Sequence, residues 1–181
     1  TLIGYDAGTA ITTGDNNTAV GRQALDSNTT GSHNTAVGEL CLQANSTASY
    51  NTAMGRYTMY ANDDGASNTA VGYNTLGSNT SGSYNVALGQ QALVNNTTAE
   101  HNVAVGYKAL NTQTDGGSNV AVGNEALYTL DDPNAVANTA VGHKAGRAAT
   151  TGSHNTIMGY KAGEDLTTGS QNTAIGSYAL D

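Results

Sequence analysis

An all-β fold of stacked parallel coils, a β-solenoid, is what this 181-residue sequence predicts. Three observations carry the prediction. The first is a pentapeptide, Asn34-Thr35-Ala36-Val37-Gly38 in its plainest form. It recurs from Asn17, Asn34, Asn51, Asn68, Asn85, Asn102, Asn119, Asn138, Asn155 and Asn172. The second is spacing. Its closing glycines, with Gly4 from a leading half-copy, lie 17 residues apart, except for 19 between Gly123 and Gly142. A fixed period of this fidelity marks a repeat architecture. The third is composition: with no Phe and no Trp, the apolar residues are mostly Ala, Val and Leu. Such small side chains make a poor globular core but pack well between coils or between chains.

Each element of a coil follows from the same register. Side chains alternate across a strand, so Thr35 and Val37 share one face while Asn34 and Ala36 share the other. The Thr position becomes Val at Val86, Val103 and Val120, and the Ala position changes only at Ile157. Both faces are therefore apolar or nearly so, the pattern of a strand buried on both sides. One face is expected to pack inside its own coil and the other against a second surface.

The closing glycine suits a sharp corner or a positive φ. Two variable residues follow, then a small one such as Ala24, Ala92 or Ala109, then Leu in seven repeats and Gly at Gly8, Gly146 and Gly163. This x-x-Ala-Leu stretch predicts either a second short strand or a single helical turn, because the period leaves too few residues for a longer helix. The remainder, such as Asn28-Thr29-Thr30-Gly31-Ser32, is turn chemistry. Stacking places the recurring Asn residues about 4.8 Å apart, so their amides are expected to hydrogen-bond up and down the stack. About ten and a half coils then form a rod roughly 50 Å long. Residues 1–181 read as a single repeat domain. It begins and ends inside a repeat and is expected to be an excerpt of a longer fibrous protein.

Net charge is −8 and the pI near 4.6. Nucleic-acid binding rests on clustered Lys and Arg, which six scattered cations do not supply, so nucleic acid is not an expected partner. No apolar run approaches the roughly 20 residues that span a bilayer, and membrane insertion of this segment is not expected. Cys41 stands where other repeats place Ala, and reads as a small buried hydrophobe.

Asn85-Val86-Ala87-Leu88-Gly89, Asn102-Val103-Ala104-Val105-Gly106 and Asn119-Val120-Ala121-Val122-Gly123 resemble the head repeats of the trimeric autotransporter adhesins, the YadA-like head. The family motif is close to Asn-Ser-Val-Ala-Ile-Gly, with a small residue shortly after. The repeats are also similar to those of trimeric phage tail fibres. The resemblance covers the whole chain. The family period is shorter, the Ser common after its Gly is Ala or Thr here, and no apolar heptads of a stalk are present. The resemblance implies a homotrimer of left-handed parallel β-rolls with the apolar strands facing the three-fold axis. It also implies an extracellular location, on an outer-membrane-anchored fibre or a virion tail. A strand with two apolar faces asks independently for a second surface.

The residue before each Asn varies, and includes His33, His101 and His154. These lie several coils apart, exchange freely with Tyr, Ser and Gln, and do not form a metal site. All ten tyrosines fall outside the repeated pentapeptide; Tyr73, Tyr107 and Tyr160 follow closing glycines. On a rigid scaffold Tyr is a good contact residue for sugars or proteins, or it covers the small-residue core. The one irregular coil has two extra residues and the only proline, and contributes Tyr128, Asp131, Asp132 and Asn134. Insertions in solenoids bulge from one face, often where binding differs. Asp63-Asp64 and Asp131-Asp132 lack the ligand spacing of a calcium loop and read as solvated turn acids.

Glu39, Glu100, Glu125 and Glu164 sit in different registers on different coils, unlike the paired carboxylates of a glycosidase. No phosphate-binding loop or nucleophile elbow is present. The expected function is therefore non-enzymatic and cofactor-free: a surface-fibre or adhesin-head segment that attaches to a host or prey surface glycan or protein and also acts as a spacer. Two alternatives are a polysaccharide-depolymerising tailspike using Asp131 and Asp132, and an ice-binding solenoid using the Thr column. The Val substitutions in that column count against the second.

Overall fold

In a computed structural model that describes residues 1–180, the chain is a parallel β-solenoid of about ten coils. Eleven short strands run from β1 (Leu2–Ile3) through β2 (Thr18–Val20) and β3 (Thr35–Val37) to β11 (Thr173–Ile175). They form one parallel sheet in strict chain order. The register repeats the motif on itself: Thr18 pairs with Thr35, Ala19 with Ala36 and Val20 with Val37. The 19-residue coil keeps that register, because Val120 still pairs with Thr139 and Ala121 with Ala140.

The alternation expected for the strand holds. Ala19, Ala36, Ala53 and their equivalents are fully buried, while the flanking Thr and Val are only partly covered. The interior is completed by the small residue and Leu of the next stretch, as at Ala24-Leu25 and Ala92-Leu93. Closing glycines have φ between 124° and 142°. A Cβ on Gly38 would stand 2.4 Å from the carbonyl oxygen of Gly55 in the next coil. Stacking distance and backbone conformation therefore both require glycine at this corner.

The x-x-Ala-Leu stretch is neither a strand nor a helical turn. It is a chain of turns in which every second residue is left-handed, as at Gln23 (φ 52°) and Leu25 (φ 54°). Each reversal re-aims the peptide N–H. The Gln23 N–H donates back to Tyr5 O at 2.8 Å, and the Leu25 N–H forward to Cys41 O at 3.0 Å. The residue before Asn is left-handed too: His33 (φ 61°) donates its N–H to Asp15 O at 2.9 Å. A left-handed non-glycine residue costs about 1–2 kcal/mol. Hydrogen bonds to the coils above and below hold it there around most of the perimeter, not only along the sheet.

The Asn column is buried and ordered, but its amides bond mainly to backbone. Asn17 Oδ1 accepts the N–H of Asn34 (2.9 Å), and Asn17 Nδ2 donates to Gly31 O (2.8 Å). Asn34, Asn51, Asn68 and Asn85 repeat both bonds. Asn102 and Asn119 keep them as well. The expected amide-to-amide bonds join only the last members: Asn138 to Asn119, Asn155 to Asn138 and Asn172 to Asn155. These last members add the amide bond to the backbone bonds, since Asn138 and Asn155 also donate to Gly152 O and Gly169 O at 2.8 Å.

A second buried column makes the amide ladder instead. Asn45, Asn62, Asn79 and Asn96 each donate Nδ2 to the Oδ1 of the residue one coil earlier, beginning at Asn28, at 2.7–2.9 Å. Gln113 ends the run: its Oε1 accepts from Asn119 Nδ2, and Asn96 Oδ1 and Gln113 Nε2 are left unpaired among the described residues.

Interior volume is shared between two positions three residues apart. Leu or Met at the first goes with an amide at the second, as in Leu25 and Asn28, or Met59 and Asn62, except in the irregular coil, where Leu127 goes with Leu130. Gly at the first goes with an apolar residue at the second: Gly8 with Ile11, Gly146 with Ala149, Gly163 with Leu166. Ile157 reaches into the room left by two of these glycines. Its Cδ1 is 2.9 Å from where a Cβ on Gly146 would stand and 3.5 Å from one on Gly163.

Candidate functional site

No cavity opens among the described residues, so recognition has to be read from outward strips. Each strip is a register position repeated down the stack. The first is the outer face of the sheet, two columns built from Thr or Val and from Val, Leu, Met or Ile. It carries no charge, and it is substantially open: Met54 is 43% exposed and Met158 44%.

The second strip follows the closing glycines. Its N-terminal part is charged and paired within itself: Glu39 bonds Arg22, and also Arg56 at 2.8 Å. The Arg22 hydrogen bond, reinforced by Arg56, holds the Glu39 carboxyl below its ordinary value and raises Arg22. From Tyr73 onward the strip loses its charge. Tyr73, Tyr107 and Tyr160 stand on it, exposed and aligned in one register. With them stand Gln90, Asn124 and His143, which were not singled out from sequence although they share the position after the closing glycine.

The remaining candidates lie elsewhere. Tyr128 is half-buried four positions further round the coil, with the Arg147 guanidinium 5.5 Å from its ring and bonded to Glu125 at 2.8 Å. Asp131 accepts hydrogen bonds from the N–H and hydroxyl of Thr114 (3.2 and 2.7 Å). Asp132 accepts the N–H of Asn134 (2.7 Å) and shapes the two-residue bulge. Ala135 resumes the regular register, since its carbonyl accepts from Asn119 as Gly31 accepts from Asn17. The structure thus brings Tyr73, Tyr107 and Tyr160 into one column, and leaves Tyr128 and the Asp131–Asn134 bulge apart from it.

The varying residue before Asn points outward. His33 stacks on Tyr50 and Tyr84 on His101, each pair 5.0 Å apart and within 5° of parallel. Cys41 is buried, its thiol donating to Ala53 O at 3.2 Å, and burial pushes its pKa up to about 12. Asn28, Asn45, Asn79 and Asn96 begin Asn-x-Ser/Thr triplets, yet each is fully buried in the second ladder. No helix among the described residues is long and apolar enough to cross a membrane.

The fold and its surfaces define the class: a repeat protein of parallel β-solenoid type with regular outward columns. No family profile, curated protein or solved structure matches the chain.

Proposed function

We propose that this chain is a non-enzymatic segment of an extracellular fibre on a cell surface or virion tail. Three copies form a homotrimer of left-handed β-rolls, which serves as spacer and as attachment head toward a host or prey surface glycan or protein. The observation that supports the reading is the outer sheet face. From β2 to β11 every outward strand residue is Thr, Val, Leu, Met or Ile, and many are half-exposed in the single chain. An apolar strip running the length of a rod is an interaction surface. Cyclic symmetry lets identical strips close on one another around an axis, while the tyrosine-bearing strips stay outside. Three copies of each outward strip then multiply weak receptor contacts.

The test is the solution mass by light scattering after size exclusion. A mass near three times 18.3 kDa is expected. A monomer overturns the trimer and, with it, the fibre reading.

A further inference from the structure

The strip after the closing glycines has a rhythm that the attachment reading does not explain. From Tyr73 it runs Tyr73, Gln90, Tyr107, Asn124, His143, Tyr160. Aromatic rings alternate with carboxamides, one residue per coil, until two rings meet at the end. All six are exposed. The backbone beneath them is fixed. The carbonyl of each of the first five accepts the N–H of the residue following its neighbour one coil on, as in Gln91 N to Tyr73 O (3.0 Å) and Glu125 N to Tyr107 O (2.9 Å).

The amides of Gln90 and Asn124 make no side-chain hydrogen bond among the described residues, although the Arg22–Glu39–Arg56 part of the same strip is fully paired. The strip from Tyr73 to Tyr160 carries no carboxylate, ammonium or guanidinium. Beside it stand Lys108, Glu125, Lys144 and Lys161, of which Glu125 is paired with Arg147 and Lys161 with Glu164, each at 2.8 Å.

We infer that this column is a binding platform for a neutral, extended, β-1,4-linked glycan lying along the rod. A pyranose presents an apolar C–H face that packs on an aromatic ring, and hydroxyls that bond to amides. Successive coils rise about 4.8 Å, close to the advance of one sugar in such a chain. Successive sugars in that linkage are turned over, so the same ring edge returns at every second residue. From Tyr73 to His143, aromatics at every second coil with amides between match that alternation, and Tyr160 closes the run stacked on His143, with ring centroids 5.3 Å apart. The Lys108 ammonium lies over one face of the Tyr107 ring, 5.2 Å from its centre. The inference deepens the attachment reading and rests on it for its setting.

The test is calorimetric titration of the whole chain with cellohexaose and mannohexaose, with polygalacturonate as the charged comparison. The mass of the same preparation is measured alongside. At least one neutral hexaose is expected to bind. Tyr107→Ala, checked for fold by circular dichroism, is expected to weaken binding at least tenfold, and Gln90→Ala severalfold. Tyr5→Ala, in the same register outside the alternating run, is expected to leave it unchanged. Absence of binding to both hexaoses, binding to polygalacturonate alone, or unchanged binding by Tyr107→Ala overturns the inference. A trimer that binds no hexaose refutes the glycan platform and leaves the fibre reading standing. A monomer that binds refutes the trimer and leaves the platform.

Discussion

The shared interior around Ile157 makes a quantitative prediction. In most coils the strand contributes Ala and the turn contributes Leu; here Ile157 and Gly146 exchange the bulk. Ile157→Ala removes three carbons from a side chain that is 1% exposed, and should cost about 3 kcal/mol. Gly146→Leu alone drives a side chain into Ile157 Cδ1 and Leu127 Cδ2, which lie 2.9 and 3.0 Å from the position of its Cβ. That overpacking should cost about 2 kcal/mol. Backbone strain adds little, because Leu110 and Leu127 adopt the same left-handed conformation (φ 48°) at the equivalent position.

Independent effects would sum to about 5 kcal/mol. The double variant restores the Ala-and-Leu arrangement of the other coils and should lose only about 2 kcal/mol. The residual loss is the room beside Gly163 that Ile157 no longer fills. A four-protein cycle by urea unfolding, followed by circular dichroism, measures this coupling. Solenoids unfold in blocks, so the same transition is compared in all four. Additivity within about 0.5 kcal/mol would refute the idea that the two sites share one volume.

Three further outcomes follow from the Asn column, the charged strip and the buried thiol. Asn68→Ala strips the partner from the buried N–H of Asn85 and one of two donors from the carbonyl of Gly82, which keeps Asn79 Nδ2; urea unfolding should show a loss of about 2 kcal/mol. Glu39, held low chiefly by Arg22, contributes stability that is present above its ordinary value of 4.5 and is lost as pH falls through its lower folded value; Arg22→Ala should move the Glu39 midpoint upward in an NMR titration. Cys41, with its thiol pushed up to about 12, should resist a thiol reagent at pH 8 and react only in denaturant. Rapid labelling of the folded chain would show the site to be open.

The sequence revealed the period, the corner glycines and the inward Ala, because each leaves a strict residue identity at a fixed spacing. It did not reveal the alternating left-handed residues. Their usual marker is Gly or Asn, whereas Leu25, Tyr57 and Lys108 occupy them here, held by bonds to adjacent coils. The second amide ladder was hidden for a related reason. Asn28-Thr29-Thr30-Gly31 reads as local turn chemistry, and only stacking shows that Asn28 points inward to Asn45. In the candidate site the tyrosines stood out as the only aromatic type besides His. Gln90 and Asn124 did not, since an isolated amide on a variable position looks like any solvated side chain. Their register with Tyr73 and Tyr107 gives them meaning, and that requires treating the column, rather than the coil, as the unit.

The hydrogen bonds that tie each coil to its neighbours around the perimeter lie along the long axis of the rod. A pull along that axis loads the bonds of one terminal coil against its neighbour, and they yield in succession as the chain peels. Each released coil of 17 residues lengthens the tether by up to roughly 60 Å. Under tension the rod should therefore pay out in even steps and absorb work at each, a shock absorber whose stroke is the length of one repeat. The 19-residue coil between Gly123 and Gly142 would appear as a single longer step.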